Sequence, residues 1–321
     1  MKLRGALLGF AALTLLYVLA LLGLDARNHV FQAVPSLAAL LPPLFGLSLL
    51  SYVLRYLRWH WLLWRAGHRV SLSGGMLAYF AGFAFTATPG KVGELVRMRY
   101  FARHGVPASR VLAAFVFERA FDLIVVLMLG LLAVGSREIF VTAFIFVMFF
   151  LAVVFVLAAR PQWLTLLASE VRSWGWQRIA GLCLTLRDGL MGARLWLTPQ
   201  DIGVTIVFGL VAWSLTSYAL VILVSSLGVN LPLPSALGIY PLSMLAGAAS
   251  MLPGGVGTTE ATLVLVLGSY HVPTDLAVLA AVGIRIASLW FAVASGLLAV
   301  TFLEITTPIC KKLESSKHFG K

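Results

Sequence analysis

The pattern Pro-Gly-x-Val-Gly occurs twice in a chain otherwise dominated by apolar residues, as Pro89-Gly90-Lys91-Val92-Gly93 and as Pro253-Gly254-Gly255-Val256-Gly257. Glu94 follows the first at once and Glu260 follows the second after Thr258 and Thr259. Further on, Arg119 lies 30 residues beyond the first proline and Arg285 lies 32 beyond the second, a difference that the two threonines account for. An internal duplication is the expectation. Proline removes a backbone donor and clashes with a continuing helix, and glycine reaches dihedrals closed to other residues, so a helix breaks at each place. In hydrocarbon the freed backbone groups are tolerated only where protein buries them or a wet cavity receives them. Matching interruptions in two halves point to a transporter's binding site. Two ordinary turns at the membrane surface are the plain alternative.

Those breaks matter because of what surrounds them. Of the 321 residues 60% are hydrophobic and mean hydropathy is +0.97. Several runs reach the ~20 residues that cross a bilayer, which indicates an all-α polytopic membrane protein with one transmembrane domain over 1–321. The expected spans are Leu7–Leu24, Ser36–Leu54, Val111–Val134, Ile139–Ala159, Ile202–Leu227 and Leu276–Leu303. Ser73–Ala87 and Leu233–Met251 are short runs that end at the two breaks, and each reads as the descending arm of a re-entrant hairpin. Each half is then three spans plus one broken hairpin. The first repeat covers 1–135 and the second 136–310, followed by a basic tail over 311–321. Within the second, residues 160–200 mix tryptophan with arginine and suit cytoplasmic helices lying in the interface.

The net charge of +12 does not indicate nucleic acid, because the basic residues flank spans. With the N-terminus cytoplasmic, twenty of the 24 Lys and Arg residues fall on that side, Arg27 and Arg137 fall outside, and Arg119 and Arg285 lie within the membrane. Both termini are thus placed in the cytoplasm of a bacterial cell membrane, and the two hairpins enter from opposite faces. Arg55 and Arg58, at the end of the Ser36–Leu54 run beside Trp59 and Trp61, read as snorkelling anchors or as contacts to lipid headgroups.

TPGKVGELVR from Thr88 to Arg97, the Glu118-Arg119-x-x-Asp122 sequence and PGGVGTTEA from Pro253 to Ala261 resemble the lysylphosphatidylglycerol synthase transmembrane-region family, also described as flippase-like or UPF0104-type proteins. The likeness covers nearly the whole chain, without the soluble aminoacyl-transferring domain of the two-part synthases. It implies lipid translocation between leaflets. For stand-alone members it implies a link to glycolipid or polyprenyl-linked pathways.

Ionised groups near the bilayer centre cost ~2.5–3.5 kcal/mol each on insertion scales, so they must be compensated. Glu94, Glu118, Asp122 and Glu260 can neutralise Arg119 and Arg285, holding hairpins to spans and nothing more. Alternatively Lys91, Arg97, Arg119 or Arg285 exchange an internal carboxylate for a lipid phosphate during transport. The substrate is then an anionic phospholipid or a polyprenyl-phosphate-linked glycolipid, moved by alternating access around a central polar cavity. A membrane-embedded transferase and a lipid-binding adaptor for a membrane enzyme are the competing classes, and an oligomer is compatible with all three. His29, His60, His68, His104, His271 and His318 are scattered, Cys183 and Cys310 have no metal or redox spacing, and no serine sits in a nucleophile elbow. No metal, cofactor or catalytic residue is expected.

Overall fold

The computed structural model describes residues 34–133 and 159–318, with 141, 144–145, 148–149, 152–153 and 156–157 between them. The expected span Leu7–Leu24 and the turn Ser136-Arg137-Glu138 lie outside the described residues, as does much of Ile139–Ala159. Among the described residues every regular element is a helix. In order these are α1 (Val34–Arg65), α2 (Leu72–Phe83), a 3-10 stretch (Pro89–Val96), α3 (Arg97–Ala102), α4 (Ala108–Gly130), α5 (Pro161–Ser173), α6 (Gln177–Ala193), α7 (Pro199–Ser226), α8 (Leu233–Ala249), α9 (Thr258–Ser269), α10 (Thr274–Arg285) and α11 (Phe291–His318). A π turn, Ile286–Trp290, joins α10 to α11.

Three of the described helices are long and apolar enough to cross a membrane: Ala38–Arg65, Pro199–Ser226 and Thr274–Thr306. At 23 residues α4 also has the length, about 35 Å at 1.5 Å per residue. Glu118, Arg119 and Asp122 lower its hydropathy; Glu118 and Asp122 are buried and Arg119 faces the interior cavity described below. Both short runs are helices that stop before their breaks, α2 at Phe83 and α8 at Ala249.

One expected boundary is wrong. The second span does not end at Leu54 but continues unbroken to Arg65, carrying Arg55 and Arg58 inside the protein. The helix can continue because α4 supplies carboxylates opposite both arginines. Arg55, Arg58 and Arg97, counted above with the cytoplasmic loops, are therefore buried charges, and Arg58 and Arg97 have no exposed surface.

The packing divides into two apolar cores that meet along α4. One gathers Val125, Val126 and Leu129 of α4 with Leu220 and Leu223 of α7, Ile239 and Leu245 of α8, Leu263 of α9 and Ile284 of α10. The other is aromatic, with Tyr56 and Trp59 of α1, Tyr79 and Phe83 of α2, Tyr100 and Phe101 of α3, Phe115 and Phe117 of α4, and Trp196. The second core also takes in Ala292, Ala299 and Val300 of α11. Close approach of α11 to α2 depends on Gly296, where a Cβ would stand 2.0 Å from the Ala84 nitrogen. Outside both cores, α5 and α6 pack on each other, and α6 lies against α4 with Gly189 over Leu112.

Candidate functional site

The two breaks face each other. A Cβ on Gly254 would lie 3.4 Å from both Cα and Cβ of Ala87, and one on Gly90 would lie 3.9 Å from Met251 Cε. Gly90 and Gly254 have φ of 58° and 62°, where glycine is at ease, but Lys91 and Met251 hold φ of 56° and 54°. An L-residue in that region costs about 1–2 kcal/mol, so packing fixes Lys91 and Met251 in place. Gly93 is required by crowding instead: a Cβ there would meet the Phe85 carbonyl oxygen at 2.5 Å. Its amide donates to Thr88 Oγ1 at 2.7 Å, closing the first break on itself.

Between the breaks lies a cavity of about 470 Å³. Thr88, Gly90 and Lys91 come from the first break, and Met251, Leu252, Gly254 and Gly255 from the second. Arg119 and Asp122 of α4 complete its charged side chains. The remaining wall is mostly apolar and includes Phe115, Leu123 and Val126 of α4, Leu186 and Leu190 of α6, and Met244 and Leu245 of α8. The volume falls in the range of ordinary ligand sites, about 300–1,000 Å³.

Behind the wall on the α4 side is an ion-pair network. Arg58 Nη2 donates to Glu118 Oε1 at 2.7 Å and its Nη1 to Asp122 Oδ1 at 2.9 Å. Arg55 Nη1 approaches Asp122 Oδ2 at 3.4 Å, and its guanidinium lies 4.4 Å from the Trp213 ring centroid. Arg119 pairs with Glu118 Oε1 at 3.3 Å and Asp122 Oδ2 at 3.1 Å, both through Nη2. Tyr79 donates its hydroxyl to Glu118 Oε1 at 2.7 Å. Arg97 bridges the network to the first break, pairing with Glu94 and standing 3.7 Å from Glu118 Oε2. Its guanidinium sits 4.6 Å from the Trp59 ring and 4.4 Å from Tyr79, and Thr86 donates to the other oxygen of Glu94 at 2.7 Å. These aromatic faces partly replace the hydration that a buried guanidinium loses.

The second break is neutralised separately. Arg285 Nε donates to Glu260 Oε1 at 2.8 Å and Nη2 to the Gly254 carbonyl at 2.6 Å. Glu260 Oε2 accepts the Gly257 amide at 2.8 Å, capping α9. The two breaks thus differ: Glu260 takes the distant Arg285, whereas Glu94 takes the nearby Arg97 and leaves Arg119 to α4's own acids.

Of the six cations singled out from sequence, the cavity wall includes Lys91 and Arg119. Arg55, Arg58, Arg97 and Arg285 stand behind it as partners of carboxylates. The four acids all take part in ion pairs, with Asp122 also on the wall. Lys91 is the exception: among the described residues it makes no ion pair or side-chain hydrogen bond. Trp59, Tyr79 and Trp213, which line or cradle the arginines, carried no sequence signal separating them from interfacial aromatics.

The sequence profile of the family described as the lysylphosphatidylglycerol synthase TM region matches residues 5–296. No curated protein matches the chain at a significant level.

Proposed function

The chain belongs to the lysylphosphatidylglycerol synthase TM-region family, and from that membership we propose that it carries an anionic lipid between leaflets, holding the phosphate in the cavity between the breaks. What supports this reading is charge. Around the first break and α4, Lys91, Arg55, Arg58, Arg97 and Arg119 face only Glu94, Glu118 and Asp122, and Lys91 stands unpaired on an apolar-walled cavity. Lys91 is half-buried, and a cation held without a carboxylate partner against an apolar wall leaves charge uncompensated, so a site of this composition is suited to receive an anion.

The volume limits the cargo. At about 470 Å³, within the ~300–1,000 Å³ of small-ligand sites, the cavity has room for a headgroup and not for a pair of acyl chains. The chains therefore remain in lipid while the headgroup crosses. We read the two breaks as equivalent parts of inverted halves, each with Pro-Gly, left-handed backbone and a glutamate held by arginine. Their contact through Ala87 and Gly254 is the point at which the halves would part in alternating access.

Reconstitution tests the proposal. Purified protein in phosphatidylcholine vesicles with a trace of fluorescent anionic lipid should speed its exchange between leaflets, and Lys91→Gln should slow that exchange about tenfold or more, the scale of one charged hydrogen bond. Covalent alteration of the lipid would instead support the transferase. Equal rates with protein-free vesicles would reject carriage.

A further inference from the structure

Resting on the lipid-carrying reading, we propose that the headgroup taken by this cavity ends in a doubly charged phosphate, as a phosphomonoester or a diphosphate does, and that headgroups bearing an ammonium group are refused. Lysylphosphatidylglycerol, the lipid named in the family's description, belongs to the refused class.

The carboxylates decide the second part. To hold a headgroup ammonium, the cavity needs a carboxylate on its wall whose charge is not already compensated by its own cations. Asp122 is the acid on that wall. Its Oδ1 already accepts from Arg58, and its Oδ2 faces both Arg119 and Arg55. Glu118 keeps Oε2 without a hydrogen bond, but that atom has no accessible surface and faces Arg97. An incoming ammonium would therefore meet Lys91 and Arg119 with no free acid to compensate, between apolar walls that screen little of the repulsion.

Charge balance decides the first part. Five cations against three carboxylates leave two positive charges over in the network and the first break. A phosphodiester cancels one of them. A phosphomonoester carries about −1.5 to −2 near neutral pH and offers three terminal oxygens. The donors match: Lys91 brings three N–H groups, and both ion pairs of Arg119 run through Nη2, leaving Nη1 uncommitted. The mostly apolar wall makes residual charge expensive, so full neutralisation is favoured over partial.

The test compares three lipids in one assay. Full-length protein in phosphatidylcholine vesicles is given tail-labelled phosphatidic acid, phosphatidylglycerol or lysylphosphatidylglycerol, and leaflet exchange is timed at pH 7.5. Phosphatidic acid should exchange about tenfold or more faster than phosphatidylglycerol, with lysylphosphatidylglycerol at the protein-free rate. Lys91→Gln, checked for an unchanged melting temperature, should erase the difference between the first two lipids, and Lys91→Arg should keep it. Exchange of lysylphosphatidylglycerol as fast as phosphatidic acid, or equal rates for the two anionic lipids, overturns the charge rule while leaving carriage intact. If none of the three exchanges, carriage itself fails and the charge rule falls with it.

Discussion

Arg58 of α1 and Asp122 of α4 meet at 2.9 Å with 0% and 7% of their side chains exposed, a buried ion pair that ties the two helices together. Removing one member of a buried pair strands the other, at about 3–5 kcal/mol. Arg58→Met should therefore lower the melting temperature in detergent sharply. Arg99→Met breaks a pair whose side chains are 55% and 34% exposed, and should cost under about 1 kcal/mol. Similar losses for both would mean that the α1–α4 network adds nothing to stability.

Lys91 lets folding and binding be separated. Its φ of 56° suits glycine better than lysine, so Lys91→Gly should leave thermal stability unchanged or raise it by about 1 kcal/mol. The same variant removes the unpaired cation and should lose most lipid exchange. Retained exchange would show that the charge is not needed.

The facing breaks supply a lock. A Cβ on Gly254 would stand 3.4 Å from that of Ala87, near the ~3.5–4.5 Å of disulfides. Ala87→Cys with Gly254→Cys, in a chain with Cys183 and Cys310 replaced by serine, should crosslink under oxidation and stop exchange, and reduction should restore it. Exchange that continues in the crosslinked protein would exclude parting of the breaks as the transport step.

Gly296 and Gly181 make a matched pair of substitutions. Alanine at Gly296 drives a methyl into the Ala84 backbone, whereas a Cβ at Gly181 meets nothing within 4 Å. Gly296→Ala should destabilise by about 1–3 kcal/mol or more through overpacking. Gly181→Ala, in the interior of α6, should stabilise by about 0.5–1 kcal/mol. Thermal unfolding of the two variants reads both signs.

The dianion preference should titrate with the lipid. A phosphomonoester has its second pKa at about 6, so phosphatidic acid is mostly dianionic at pH 7.5 and mostly monoanionic at pH 5. Lowering the pH across that window should slow its exchange towards that of phosphatidylglycerol, whose diester charge does not change. Lys91, Arg119 and Asp122 are the charged groups on the cavity, and no histidine lines it. A parallel slowing of both lipids would point to a protein group.

Much of this was legible in the chain because the informative residues break a strong pattern. Proline and glycine interrupting apolar runs located both breaks, and Glu118 and Asp122, four apart, had to share a helix face. Arg55 and Arg58 were misplaced for a physical reason. Arginine beside tryptophan at the end of an apolar run has the same composition whether it snorkels to water or meets acids from another helix, and only tertiary packing separates the two. A charge count held a hint: four acids set against two arginines left carboxylates unpaired, and Arg55 and Arg58, three apart on one helix face, were available as their partners. Glu94 and Arg97 stand three apart on one face, but setting Glu94 against Arg119 and Arg285 passed over that nearer partner, and the aromatic box of Trp59, Tyr79 and Phe115 around Arg97 draws on three helices and leaves no local trace.

The wide turn at Ile286–Trp290 phases the last long helix. In a regular helix Arg285 and Gly296, eleven positions apart, would lie within about 20° of each other around the axis. Yet Arg285 serves Glu260 and Gly254 on one side, while Gly296 seats against Phe83 and Ala84 on another. One surplus residue in the winding rotates everything beyond it by about 100°, and that rotation lets a single rod answer to both neighbours. Winding those five residues as ordinary α-helix, with none removed, would bring the two obligations onto the same stripe, and one of them would have to be given up.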